Sequence, residues 1–247
     1  MSCAKHATFA LWAGASTEAS PPTDRRIGIA PPPTEEALWS RAMTLVGCSV
    51  GELAQAHRLR LPAQPRQAKG HIGTLIEHAL GASAGSQARA DFPHLGIELK
   101  TVPVDAAGRP LESTFVSTVP QGDLSALTWA QSRVRAKLSR VLWVPVAGGR
   151  DVPLPERRIQ RPQLWSPSSE QELTLRLDWE ELIGSLALGG ADSIQAHQGQ
   201  CLQLRPKGQR GTDRRLYFDA VQGFDWGQPK AFYLRRNFTA SCLDWGV

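Results

Sequence analysis

One eleven-residue stretch constrains this chain more than any other: Ala90-Asp91-Phe92-Pro93-His94-Leu95-Gly96-Ile97-Glu98-Leu99-Lys100. From Gly96 to Val104 apolar Ile97 and Leu99 alternate with Glu98 and Lys100, the period of a half-buried strand. Glu98 and Lys100 therefore share a face, about 6.6 Å apart. Asp91 precedes Glu98 across Pro93 and Gly96, residues that can bend the chain back and bring a second carboxylate to the first. Two convergent carboxylates suit a hard cation. Mg²⁺ takes one or two of them, keeps several waters and binds substrate phosphate oxygens, so the stretch reads as a metal site for cutting a phosphodiester. Lys100 is then the cation or base facing the attacking water. The spacing alone also fits an ordinary exposed strand, so the rest of the chain has to support the reading.

The charge balance is compatible with a polyanionic partner. There are 28 Lys and Arg against 23 Asp and Glu, a net charge of +5, and a pI near 9.3. That gives mild attraction to nucleic acid and no histone-like tail. Cys3, Cys48, Cys201 and Cys242 are widely separated, which favours neither a zinc site nor a disulfide framework and fits the reducing cytoplasm. No apolar run approaches a membrane span, and Ala7 to Gly14 is too short for a convincing signal peptide. A chain of 247 residues can bury a substantial core, in one cooperative α/β unit or two joined lobes.

In chain order, residues 1–30 read as a mobile leader, with proline-rich composition running on to Pro33. Thr34 caps a helix from Glu35-Glu36 whose inner side holds Leu38, Ala42, Leu45 and Val46. Ser49 and Glu52 form a capping box for a second helix, Val50 to about His57. After a loop at Leu61 to Gln67, apolar Ile72, Leu75, Ile76, Ala79 and Leu80 mark a third helix. Glu77 lies among them. A buried carboxylate needs a partner, so Glu77 is either a third acid of the site or a helix-edge residue meeting solvent or a lysine. Gly81 to Ser86 is either a phosphate-cradling loop or a plain linker.

Beyond Glu98, the run Leu111 to Pro120 is expected to be a strand beside the Glu98 strand. Arg133, Arg135, Lys137 and Arg140 cluster on a short helix leading into the apolar strand Val141 to Val146. Such a cluster is either a solvated face or a phosphate-neutralising one. Residues 147–163 read as loop. Ser168 or Ser169 caps a helix to about Leu188, where Leu173, Leu177, Trp179, Leu182, Ile183 and Leu186 are assigned to the core. A hairpin of Ser193 to Ala196 with Cys201 to Arg205 is expected next, Leu202 and Leu204 facing one way. The basic run Arg205-Pro206-Lys207 and the loop after it read either as guanine-reading cations or as surface charge. The segment Phe232 to Phe238 mixes aromatics with arginines, as a nucleic-acid surface or an edge strand would.

The stretches Lys69-Gly70, Leu75 to Ser86, Asp91 to Pro103, Thr128 to Val146, Leu164 to Pro167, Asp178 to Leu182, Leu204 to Lys207 and Phe232 to Thr239 together resemble the MutH family of DNA mismatch-repair endonucleases, over roughly Pro31 to Ala240. The resemblance implies a restriction-endonuclease-like α/β fold, a mixed sheet flanked by helices, with residues 31–247 forming two lobes that clamp duplex DNA. It implies Mg²⁺-dependent nicking of the unmethylated strand at hemimethylated GATC, with activation by MutL and, indirectly, MutS, by a monomer in the cytoplasm. The family's acids match Glu77, Asp91 and Glu98, which would hold one or two Mg²⁺ ions. Its lysines match Lys100 and Lys137. Its DNA-contacting positions match Lys69, Arg205, Lys207 and Tyr233, the tyrosine being linked to sensing adenine methylation. The family pattern has no counterpart for residues 1–30, diverges over Gly208 to Gln228, and continues past Phe238 into a terminal helix associated with activation, which this chain is expected to shorten. Three other readings stay open: a type II restriction enzyme cutting both strands, a DNA-binding module whose acids are structural, and a metal-independent structural protein.

Overall fold

The unbroken apolar run Val141-Leu142-Trp143-Val144-Pro145-Val146 can be buried only at the centre of a sheet covered on both faces. It is found there. A computed structural model describes residues 29–62, 68–85, 89–121, 124–149, 151–189, 198–207, 215–219 and 223–243. Nearly all of the stretch read as a leader lies outside the described residues. Strand β1 (Glu98–Val104) carries the acid and lysine, β2 is Thr114–Thr118, and the apolar run is β3 (Val141–Ala147). β1 pairs with β3 in parallel, Glu98 opposite Val141 and Lys100 opposite Trp143. The other edge of β3 pairs antiparallel with two short strands, β4 (Arg158–Ile159) and β5 (Gln163–Trp165). Residues 147–163, expected to be loop, therefore contribute a strand and a 3-10 turn, Leu154–Glu156.

Three helices cover one face of this sheet. Helix α1 (Glu35–Met43) is capped as expected, Thr34 Oγ1 accepting from Ala37 N at 3.2 Å. Helix α2 (Val50–Ala56) has the full Ser49/Glu52 capping box. Helix α3 is Ala68–Leu80. Leu38, Leu53, Ile76 and Leu80 from these helices form one core with Leu99, Leu142, Val144 and Val146. Val46 lies past the end of α1 and is exposed, whereas Leu45 remains buried.

The alternate residues of the same strands, Val102, Val104, Val141 and Trp143, face a second core. This core is closed by α4 (Arg133–Leu138), α5 (Ser169–Gly189), α6 (Arg236–Cys242) and an antiparallel sheet in the order β2-β9-β6, with β6 Leu202–Pro206 and β9 Lys230–Leu234. A separate hairpin pairs β7 (Arg215–Asp219) with β8 (Gly223–Gly227).

Three more expectations change. β2 pairs with β9 and not with β1, because β1 takes β3, the strand with more apolar surface to bury, as its neighbour. β6 also pairs with β9; the proposed partner Ser193 to Ala196 lies outside the described residues. β9 is therefore a central strand, and Phe232 is fully buried. Leu173 and Leu177, assigned to the core, are 54% and 56% exposed. α5 points Leu175, Trp179, Leu182, Ile183 and Leu186 inward, and Leu173 and Leu177 sit two positions from Leu175, about 160° round the helix.

The start of β6 is fixed by two charges. Asp178 of α5, itself buried, accepts from the backbone N–H groups of Gln200, Cys201 and Leu202 at 2.8, 2.5 and 2.8 Å. Arg235 donates to the carbonyls of Gly199 and Gln198. Arg235 is therefore a structural residue of this turn.

Candidate active site

The bend anticipated from Pro93 and Gly96 is present. Gly96 adopts φ +67°, and Phe92 and Ile97 exchange backbone hydrogen bonds of 2.9 and 3.3 Å. This closes Asp91 onto the start of β1, where its Oδ2 accepts from Leu99 N at 2.9 Å. The Gly81 to Ser86 segment supports the same point from behind, Ser83 N and Ala84 N both donating to the Asp91 carbonyl. These amides are spent on the protein's own backbone, which favours the linker reading over a phosphate cradle.

Glu98 and Lys100 share a face as the alternation required, and both are buried, 4% and 8% exposed. Lys100 Nζ donates to Glu98 Oε1 at 2.9 Å. Lys137 Nζ, from α4, donates to Glu98 Oε2 at 2.8 Å and to the Arg89 carbonyl at 3.2 Å. One buried carboxylate thus has an ammonium group on each oxygen, which offsets its desolvation. Among the described residues, Asp91 and Glu77 have no such ammonium partners. Burial, then the Glu98 charge, pushes the Asp91 carboxyl up to about 6, with Leu99 N–H and Lys137 opposing. Burial followed by the Glu98 charge also raises Glu77, with Lys100 and Lys137 pulling the other way.

All five residues line one cleft of about 470 Å³, which β2 and Lys207 also line. Glu77 is half-buried and lines this cleft. Among the described residues, however, no three His, Cys, Asp or Glu side chains are close enough together to form a ready cage for a metal ion. The acids share a cleft, but Glu98 is held by lysines.

The four cations of the basic cluster diverge, and Arg140, expected on the helix, lies past its end at Leu138. Arg133 and Lys137 line the cleft. Arg135 pairs with Glu172 at 2.9 Å, and Arg140 pairs with Glu35. Lys207 Nζ lies 3.7 Å from the centre of the Phe115 ring, a cation-π contact. Phe115 stacks edge-on against Tyr233, centroids 5.6 Å apart, and the Arg205 guanidinium sits 5.9 Å from the centre of the Tyr233 ring. Arg205 and Tyr233 therefore form a platform with Phe115 and Lys207, of which Phe115 and Lys207 line the cleft itself. Lys69 is in the first turn of α3, and its side chain lies outside the described residues. Sequence reading missed Phe115 as a cleft residue and left Arg133 open between a solvated face and a phosphate-neutralising one. The i, i+4 spacing of Arg133 and Lys137 was a usable signal. Phe115 had none, because its position depends on the β2–β9 register and the irregularity between Phe115 and Ser117.

Comparison with known proteins places the chain in a family. The family profile described as "DNA mismatch repair enzyme MutH" matches residues 80–178, the span holding Asp91, Glu98, Lys100 and Lys137. The chain is 49% identical over 218 residues to the DNA mismatch repair protein MutH of Serratia proteamaculans, covering 86% of this chain and 93% of that protein. The chain belongs to the MutH family. The MutH protein of Pectobacterium atrosepticum is 49% identical over 217 residues, covering 86% and 92% of the two chains. That of Photorhabdus laumondii is 48% identical over 218 residues, covering 86% and 93%. The mixed α/β architecture, sheets flanked by helices, is the restriction-endonuclease-like fold of the family.

Proposed function

We propose that this chain is a DNA endonuclease of methyl-directed mismatch repair that nicks the unmethylated strand at hemimethylated GATC, leaving 5′-phosphate and 3′-hydroxyl ends. The observation that carries the reading is the set of Glu77, Asp91 and Glu98 with the ammonium groups of Lys100 and Lys137 in one cleft. Names of the relatives supply the context, DNA mismatch repair.

The donor chemistry suits Mg²⁺: the cleft offers hard carboxylate oxygens and room for waters and phosphate oxygens. Asp91 and Glu98, with Glu77 beside them, are the residues that would hold it. Such an ion would supply polarisation of the scissile phosphate and a lowered pKa for a bound water. Lys100, fixed by Glu98, orients the attacking water and offsets charge as the phosphorus becomes five-coordinate. Lys137 holds the second oxygen of Glu98 and the backbone before Asp91, keeping the two acids in register. Lys207 and Arg133 meet the DNA backbone in the cleft, with Arg205 and Tyr233 beside them for base readout.

The same reading makes the protein a monomeric clamp on duplex DNA, formed by residues 31–247, acting in the cytoplasm and activated by MutL and, through it, MutS. Free thiols at Cys48, Cys201 and Cys242 are consistent with a reducing compartment. No described helix is long and apolar enough to cross a membrane.

A plasmid-nicking assay tests the proposal. Unmethylated, hemimethylated and fully methylated GATC plasmids are incubated with Mg²⁺, with and without MutL. Nicks confined to the unmethylated strand, enhanced by MutL and absent with Glu98→Ala or Lys100→Ala, are expected. Linear product from unmethylated plasmid at the earliest times would favour a restriction enzyme, and DNA retention without any cleavage a binding module.

A further inference from the structure

Lys137 can hold Glu98 only if a very short helix holds still. α4 has six residues and buries Val134 and Leu138, one turn apart on a single face. A helix that short can roll about so narrow a stripe. At about 100° per residue, Lys137 and Arg135 lie about 160° apart, one on each side of the apolar stripe. On the cleft side, Lys137 binds Glu98 and the Arg89 carbonyl. On the opposite flank Arg135 Nε donates to Glu172 Oε1 at 2.9 Å.

That same oxygen accepts from Trp129 Nε1, also at 2.9 Å. Trp129 lies in the 3-10 turn Trp129–Gln131 directly before α4 and packs on Trp179 of α5, ring centroids 5.9 Å apart. Glu172, in the first turn of α5, therefore grips both the entry to α4 and its outer flank. It is not among the residues lining the cleft.

We propose that Glu172 is a positioning residue for strand cleavage: it sets the roll of α4 and so keeps the Lys137 ammonium on Glu98. The inference rests on the nuclease reading of the cleft, and the Arg135–Glu172 pair is the link through which it acts. An exposed ion pair with no such role contributes little and is replaced at small cost. Here the pair is one of two polar tethers on a helix whose lysine has to be placed within tenths of an ångström. Misplacing a catalytic group by about 1 Å costs on the order of 10²-fold, so loss of one tether should lower kcat roughly tenfold.

The test uses the full chain and two variants that cut the link from opposite sides, Glu172→Gln and Arg135→Gln, alone and together. Circular dichroism checks that each folds. Competitive lysine acetylation, read by mass spectrometry, reports the reactivity of Lys137 against Lys100 as an internal reference. Lys137 should become several-fold more reactive in both single variants, kcat for nicking should fall with DNA affinity in EDTA unchanged within a factor of two, and the double variant should be no worse than the singles. Unchanged Lys137 reactivity in the folded variants would overturn the proposal, as would kcat losses that multiply in the double variant. Because acetylation needs no cleavage, a wild-type protein that does not nick would count against the nuclease reading and leave the Glu172 comparison to decide on its own terms.

Discussion

Replacing Asp91 with asparagine should make this protein more stable at alkaline pH while stopping cleavage. Asp91 carries a carboxyl raised from 3.8 to about 6 by burial and by the Glu98 charge. In the unfolded chain it titrates near its ordinary value, so between about pH 4 and 6 the folded state binds the proton that the unfolded state has released. Stability from this group is complete below the unfolded pKa and is lost as pH rises through the folded one. A shift of about 2 units corresponds to about 3 kcal/mol at most, and partial solvent access reduces it to about 1–2 kcal/mol. An amide at this position would keep an oxygen for the Leu99 N–H and lose the charge that opposes Glu98. Urea unfolding in EDTA should therefore show Asp91→Asn stabilised by about 1–2 kcal/mol at pH 8, with Tm higher by about 2–8 °C. At pH 4.5, still above the unfolded pKa, the gain should shrink to about a third of that. The same gain at both pH values, or destabilisation at pH 8, would refute the claim that Asp91 and Glu98 repel each other in one poorly solvated cleft. Confirmation would identify a site held together at a cost in stability, as active sites often are.

Two further predictions address the frame around the site. Asp178→Asn should lower stability by about 3–5 kcal/mol, because a buried carboxylate accepting three backbone N–H groups becomes an amide with one acceptor oxygen; a thermal melt within about 2–3 °C of wild type would contradict this role. Lys207→Ala should reduce the slope of log affinity against log salt for duplex DNA by about 0.9, the share of one phosphate contact, while leaving the fold intact. An unchanged slope in a salt titration would remove Lys207 from the DNA surface.

By itself the sequence determined the local parts whose physics involves neighbouring residues. The alternation from Gly96 to Lys100 put Glu98 and Lys100 on one face, and their 2.9 Å contact follows from that period of two. Pro93 and Gly96 announced the bend that returns Asp91, and Ser49 with Glu52 announced a helix start. Only the tertiary structure decided what depends on distant residues meeting. It paired β2 and β6 with β9, left Leu173 and Leu177 in solvent, and brought Lys137 across 39 positions to the second oxygen of Glu98. It also divided the basic cluster among the cleft, Glu172 and Glu35, which charge counting has no means to do. Strand order and helix roll are set by which apolar surfaces compete best for the two cores, and that competition is global. A run of residues records its own period; it does not record its partner.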